Sequence, residues 1–215
     1  MKRASEPGAA KYLPNKHTLP QLRDAARHCQ GCKLFEHATQ TVFGEGPAHA
    51  RLLFIGEQPG NDEDLAGHPF VGPAGRIFDR ALEAAEIDRR TSYVTNAVKH
   101  FKWEPRGKRR IHKKPTSGEI WACRPWLDAE IASVKPQALV CLGATAAQAL
   151  FGSSFRVTTE RGRLLDSELA PIVMATVHPS SLLRAPTPED RDREYDRFVA
   201  DLRSVSRAMA GSRAS

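Results

Sequence analysis

Four short apolar runs, closed by turn-forming residues and separated by segments of helical period, restrict this chain more than any other feature. Arg51-Leu-Leu-Phe-Ile-Gly56, Ser92-Tyr-Val-Thr95, Gln137-Ala-Leu-Val-Cys-Leu142 and Pro171-Ile-Val-Met-Ala-Thr-Val177 read as buried strands. Helices are expected between and after them. In residues 74–87, Ile77, Phe78, Ala81, Leu82 and Ala85 share one face, and residues 118–134, 144–151 and 189–206 follow the same period. The order βαβαβαβ predicts an α/β fold: a three-layer α/β/α arrangement around a central, mostly parallel four-stranded sheet.

A chain of 215 residues supports one sizeable core rather than two. Residues 1–16 and 205–215 are rich in Ala, Ser, Gly, Pro and Arg and lack apolar periodicity, so poorly ordered tails are expected around a single domain at 17–204. The longest apolar stretches, such as residues 138–143, fall far short of the roughly 20 residues that span a bilayer. The N-terminus has no apolar signal core, and a soluble, cytoplasmic protein is the expectation. An excess of 32 Lys and Arg over 25 Asp and Glu gives a formal charge of +7, which favours a polyanionic partner without identifying it.

The four cysteines are Cys29, Cys32, Cys123 and Cys141, the first two as Cys-x-x-Cys. Without an export signal disulfides are disfavoured, and a shared ligand set is the leading idea. Four thiolates suit zinc or a [4Fe–4S] cube equally, and spacing does not decide between them. A redox role for Cys29 and Cys32 alone leaves the other two unexplained.

Ligands of such sheets bind beyond the carboxyl ends of the strands, which directs attention to the segments after Ile55, Thr95, Leu142 and Val177. The first strand runs into Gly56-Glu57-Gln58-Pro59-Gly60-Asn61-Asp62-Glu63-Asp64, then His68-Pro69-Phe70-Val71-Gly72-Pro73-Ala74-Gly75. Their glycines and prolines make a compact backbone cradle with carboxylates and amides at its mouth. The last strand runs into His178-Pro179-Ser180-Ser181-Leu182-Leu183-Arg184. Together these resemble the two active-site motifs of the uracil-DNA glycosylase superfamily, a GExPG loop and an HPS loop. The cysteine set is similar to that of its iron–sulfur branches, and the resemblance extends from about residue 25 to residue 205. The insertion Lys108-Arg-Arg-Ile-His-Lys-Lys114, after Asn96, resembles the basic loop of the UdgX subgroup, whose histidine becomes covalently joined to the sugar that carried uracil.

This resemblance implies excision of uracil from DNA, single-stranded or double-stranded, by a monomeric enzyme that ends bonded to the abasic sugar through His112. It favours a [4Fe–4S] cluster on the four cysteines, clamping the N-terminal segment to the sheet. The residues can carry such chemistry. A base inside a duplex must be flipped out to react. Phe70 can stack on the flipped ring, Asn96 suits the O4 and N3–H edge of uracil, and His178 can donate to O2 as charge develops there. His112, kept neutral by its basic neighbours, can attack the electrophilic sugar carbon in place of water. Glu57 would take the proton from its other nitrogen, with Gln58 orienting His112 or a water. Gly56 and Asp64 belong to the same substrate-binding loop, Asp64 in a supporting part. Asn61 stands where aspartate is common. Ser180 is expected at a phosphate, and one of Leu182, Leu183 or Arg184 in the vacated stack. The bland readings are a core phenylalanine at Phe70, a strand-closing asparagine at Asn96 and a merely solvated basic loop around His112. Two rival functions stay open: a conventional, multiple-turnover glycosylase and a non-catalytic iron–sulfur module that binds DNA.

Overall fold

The computed structural model describes residues 8–211. Five strands form one sheet: β1 (Leu52–Gly56), β2 (Ser92–Asn96), β5 (Ala138–Leu142), β6 (Leu164–Leu165) and β7 (Ile172–Thr176), in the order β2-β1-β5-β7-β6. β3 (Trp103–Arg106) and β4 (Arg109–His112) form a separate antiparallel hairpin. β2, β1, β5 and β7 are parallel, and every residue in them is buried, as expected for a sheet covered on both faces. Their register aligns Gly56 with Asn96 and Leu142 with Thr176, so the four carboxyl ends share one edge.

Alternation along the strands divides the core. Leu53, Ile55, Leu139, Cys141, Val173 and Ala175 pack under α1 (Leu19–Ala26), α4 (Ser117–Val134) and α5 (Ala144–Phe151). Leu52, Phe54, Val140 and Met174 face α3 (Pro73–Ala84) and α8 (Pro188–Gly211). The remaining short helices, α2 (Asn61–Ala66), α6 (Val157–Glu160) and α7 (Pro179–Leu182), lie in the connections. α4 begins with a capping box, in which the Thr116 hydroxyl accepts from the Glu119 N–H and the Glu119 carboxylate accepts from the Thr116 N–H.

The expected three-layer fold is present, with differences. The sheet has a fifth strand, antiparallel β6, because a two-residue strand leaves no pattern in sequence. The basic insertion is a hairpin rather than a loop, turned at Gly107, whose φ of +59° glycine accepts without strain. Neither expected tail holds over its described part. Gly8–Tyr12 is a 3-10 helix with Ala9 buried, lying so close to the Cys29–Cys32 turn that a Cβ on Gly31 would come within 2.6 Å of the Ala9 nitrogen. α8 continues to Gly211 with Val205 in the core. Residues 1–7 and 212–215 lie outside the described part. Among the described residues no helix is long and apolar enough to cross a membrane.

A buried ion pair joins the sheet to α4. Lys99 Nζ lies 2.5 Å from Glu130 Oε2 and also donates to Thr95 Oγ1 and to the Asn96 carbonyl, both at 2.7 Å. Glu130 in turn accepts from Tyr93, Thr95 and the Gly44 N–H, each at 3.0 Å. Removing one partner of such a pair strands the other charge. Lys99→Met should therefore lower the unfolding free energy by about 3–5 kcal/mol, measured by urea denaturation; a loss under about 1 kcal/mol would contradict this role for the pair.

Candidate active site

At the shared edge the backbone makes room before any side chain acts. A Cβ on Gly56 would fall 2.3 Å from Asn96 Oδ1 and 2.6 Å from the Phe70 ring, so only glycine lets β1 pass beneath both groups. Phe70 holds a left-handed φ of +58°, unfavourable for a bulky residue. Its turn is fixed from several sides. Glu63 accepts from the Gly60 N–H at 3.0 Å and the Gly72 N–H at 2.8 Å, Arg89 donates to the Pro69 carbonyl at 3.0 Å, and Gly75 lies hard against the Phe70 carbonyl. The ring, tilted against Phe78 at 5.1 Å and His178 at 5.8 Å, lines a cavity of about 550 Å³ with Asn96, His112, His178 and Leu183. A larger hollow at the opposite edge of the sheet, by Arg51, Gln137 and Pro171, contains none of these groups.

His178 caps α7. Its Nδ1 accepts the Ser180 backbone N–H at 3.2 Å, which leaves the ring proton on Nε2. Burial pushes this imidazole down to about 4, overcoming the opposing pull of Glu57, with Arg184 and His112 adding to the fall. The ring is therefore a neutral donor near pH 7.

The hairpin brings His112 to the cavity. His112 Nε2 lies 3.3 Å from Glu57 Oε1, and the other carboxylate oxygen accepts the Thr145 hydroxyl. Burial pushes the Glu57 carboxyl up. Hydrogen bonds from His112 and Thr145, with the nearby charges of His112 and His178, outweigh that and hold it below its ordinary value. His112 borders a second cavity of about 470 Å³, shared with Glu57, Lys114, Thr145 and Ser181.

Two expected site residues have other tasks. Gln58 lines the Phe70 cavity, but its amide donates to the Lys102 and Lys113 carbonyls at 3.2 and 3.0 Å and accepts the Lys102 N–H at 3.2 Å. It ties the two ends of the hairpin together instead of orienting His112. Asp64 is fully buried and outside the cavity lining; it accepts the Thr39 N–H at 3.0 Å and Arg110 Nη1 at 2.6 Å. Arg110, one of the basic neighbours of His112, is thereby a strut. It also donates to Asn61 Oδ1 at 2.8 Å and stacks 5.4 Å from both Phe101 and Trp103. Lys108, Arg109 and Lys114 are exposed and in no ion pair among the described residues, so they remain open to phosphates. Within the HPS loop Leu182 is buried, Leu183 is 49% exposed at the cavity, and Arg184 donates to Ser180 Oγ at 3.3 Å.

Among the described residues, no three His, Cys, Asp or Glu side chains are gathered into a metal-binding group. The cysteines nevertheless divide into two kinds. Cys29 raises the Cys32 thiol, and Cys32 and Cys29 both raise Cys123, though burial is the largest influence on each; these three are therefore neighbours. Trp126 Nε1 and the Lys99 N–H point at Cys29 and Cys123 sulfurs, at 3.2 and 3.3 Å, as donors to thiolates would. Cys141, inside β5, is pushed up to about 12 by burial, opposed by Arg124. Cys29, Cys32 and Cys123 thus lie near one another at the N-terminal turn and α4, while Cys141 is a fully buried residue of β5.

Sequence reasoning missed Thr145, Glu63 and Lys99. Thr145 lies three residues after the end of β5, inside a segment marked for inspection, and position was its only signal. Replacing Arg110 by Lys, which cannot reach Asp64, Asn61 and both aromatic faces together, should speed amide exchange across β3 and β4 by about tenfold. Exchange in β1 and β5 should stay slow, and an unchanged hairpin would remove the strut.

Residues 43–203 match the family model of the uracil DNA glycosylase superfamily. The chain is 36% identical over 181 residues to a type-4 uracil-DNA glycosylase of Thermotoga maritima, covering 84% of this chain and 88% of that protein. It is 34% identical to one of Sulfurisphaera tokodaii (79% and 77% covered) and 33% identical to one of Archaeoglobus fulgidus (78% and 86% covered). The extent of these matches, over the strands and both loops just described, places the chain in the uracil DNA glycosylase superfamily.

Proposed function

We propose that this protein is a uracil-DNA glycosylase of the UdgX type, which releases uracil from DNA and becomes bonded to the abasic sugar through His112. The observation that carries the covalent step is the His112–Glu57 contact of 3.3 Å beside the base cavity. The activities named for the relatives support the excision step.

Uracil, flipped from the stack, lies against Phe70 with its O4 and N3–H edge at the Asn96 amide, a pairing that the amino edge of cytosine mismatches. The bond from the sugar carbon to uracil N1 breaks with its electron pair leaving on uracil. His178, neutral and donating from Nε2, meets the charge that grows at O2. An imidazolium there would give its proton away; a neutral ring keeps donating. The electron-poor sugar carbon then takes a lone pair from the His112 nitrogen that does not face Glu57. The alkylated ring becomes neutral when its remaining N–H proton passes to Glu57 Oε1, and a neutral alkyl imidazole is a poor leaving group. The uracil anion takes a proton from water on release, and the hydroxide so formed takes up the proton that Glu57 received, which restores the carboxylate. In this reading Leu183, half exposed at the cavity, fills the vacated stack, and Ser180 and Lys114, which line the adjoining cavity, meet the DNA backbone.

Cys29, Cys32 and Cys123 would hold an iron–sulfur cluster. When bound, such a group serves here as a structural clamp between the N-terminal turn and α4. We place it outside the reaction, with the protein acting as a monomer on uracil-containing DNA in the cytoplasm.

The test is a boiling, denaturing gel of native protein and His112→Ser after incubation with labelled DNA carrying one uracil. A heat-stable shifted band from the native protein, replaced by alkali-labile sites in the variant, is expected. Alkali-labile sites without a shifted native band would leave a conventional glycosylase, and no released uracil would leave a DNA-binding module.

A further inference from the structure

We infer that Thr145 is a positioning residue for this reaction, its hydroxyl holding one oxygen of Glu57 so that the other is presented to His112. The inference rests on the covalent role proposed for His112 and deepens it.

A glutamate side chain turns freely about three bonds, so a fixed hydrogen bond to one oxygen is what defines where the other points. Thr145 supplies it: its side chain is buried, β-branched and therefore stiff at χ1, and its Oγ1 donates to Glu57 Oε2 while Oε1 lies 3.3 Å from His112 Nε2. The start of α5 is itself held. Gly143, at φ +91°, donates its N–H to the Thr176 carbonyl at 2.8 Å, and a Cβ there would stand 2.9 Å from His178 Cβ. The same backbone turn thus sets the group at uracil O2 and the group behind the nucleophile.

The hydroxyl also favours the charged form of the carboxylate, which must be ionised to accept the proton from His112. Charged and titratable groups around Glu57 come from each neighbouring element: His112 from β4, Lys114 beyond it, and His178 and Arg184 from the HPS loop. Burial alone pushes Glu57 up; with the hydroxyl gone, one of the opposing hydrogen bonds is lost and its titration midpoint must rise. Between the native and raised midpoints the variant's carboxyl already carries a proton and cannot take another. Adduct formation is therefore lost from the acid side first.

The experiment compares full-length native protein with Thr145→Val, which keeps shape and removes the hydroxyl, and Thr145→Ser, which restores it. Two readouts are taken across pH: the ratio of covalent adduct to free abasic sites on a single-uracil oligonucleotide, and the carboxyl titration of Glu57 by carbon NMR without DNA. In Thr145→Val the acid limb of the ratio should move to higher pH, with the ratio there falling about tenfold, and the NMR midpoint should rise. Thr145→Ser should return both. A native midpoint in Thr145→Val, or a Thr145→Ser variant as impaired as the valine, would overturn the inference and mark Thr145 as packing alone. If native protein forms no adduct yet the midpoint follows the hydroxyl, the role of His112 has failed and the hold of Thr145 on Glu57 stands.

Discussion

The site depends on one close approach, where Gly56 and Asn96 lie opposite each other at the carboxyl edge of β1 and β2. Parallel pairing brings them together, and the missing side chain of Gly56 lets the Asn96 amide and the Phe70 ring come over the strand end. The strain at Phe70 is tolerable because Glu63, Arg89 and Gly75 leave that turn no alternative. Below, the Lys99–Glu130 pair holds the Asn96 carbonyl, so the buried charges of the core also fix the floor of the cavity that Asn96 and Phe70 line.

On this rigid floor His112 is carried by a largely exposed element. Most of β3 and β4 is exposed, and the hairpin has no core of its own. Its position is imposed by ties to the body of the protein, among them Gln58 across its ends, Arg110 to the buried Asp64 and Trp103 Nε1 to the His37 carbonyl. The hairpin carries the exposed lysines and Arg109, while Glu57 and Thr145 belong to the sheet edge and α5. His178, kept neutral by burial, faces the same cavity from the HPS loop.

The sheet was legible because a strand buried on both faces must be apolar throughout, as residues 52–56 and 138–142 are. β6, two residues long, carries no such pattern, and the hairpin was hidden because its exposed strands have no apolar face. In the site, Glu57, Phe70, Asn96, His112 and His178 were named from motifs, and the fold brings all five together. Asp64 and Gln58 stand in the same motif with similar chemistry, yet their side chains turn to other partners, which only the folded backbone decides. Cys141 shows another limit: its type and spacing suit a ligand, and its place within a fully buried strand of the sheet was not legible as such in the cysteine pattern.

Direct mapping of the bond tests the account most sharply. The native protein would be reacted with uracil-containing DNA, digested with protease and nuclease, and its peptides sequenced by mass spectrometry. The account predicts a deoxyribose remnant on the His112 imidazole. A remnant on Lys108, Lys113 or Lys114, or on no residue at all, would contradict it.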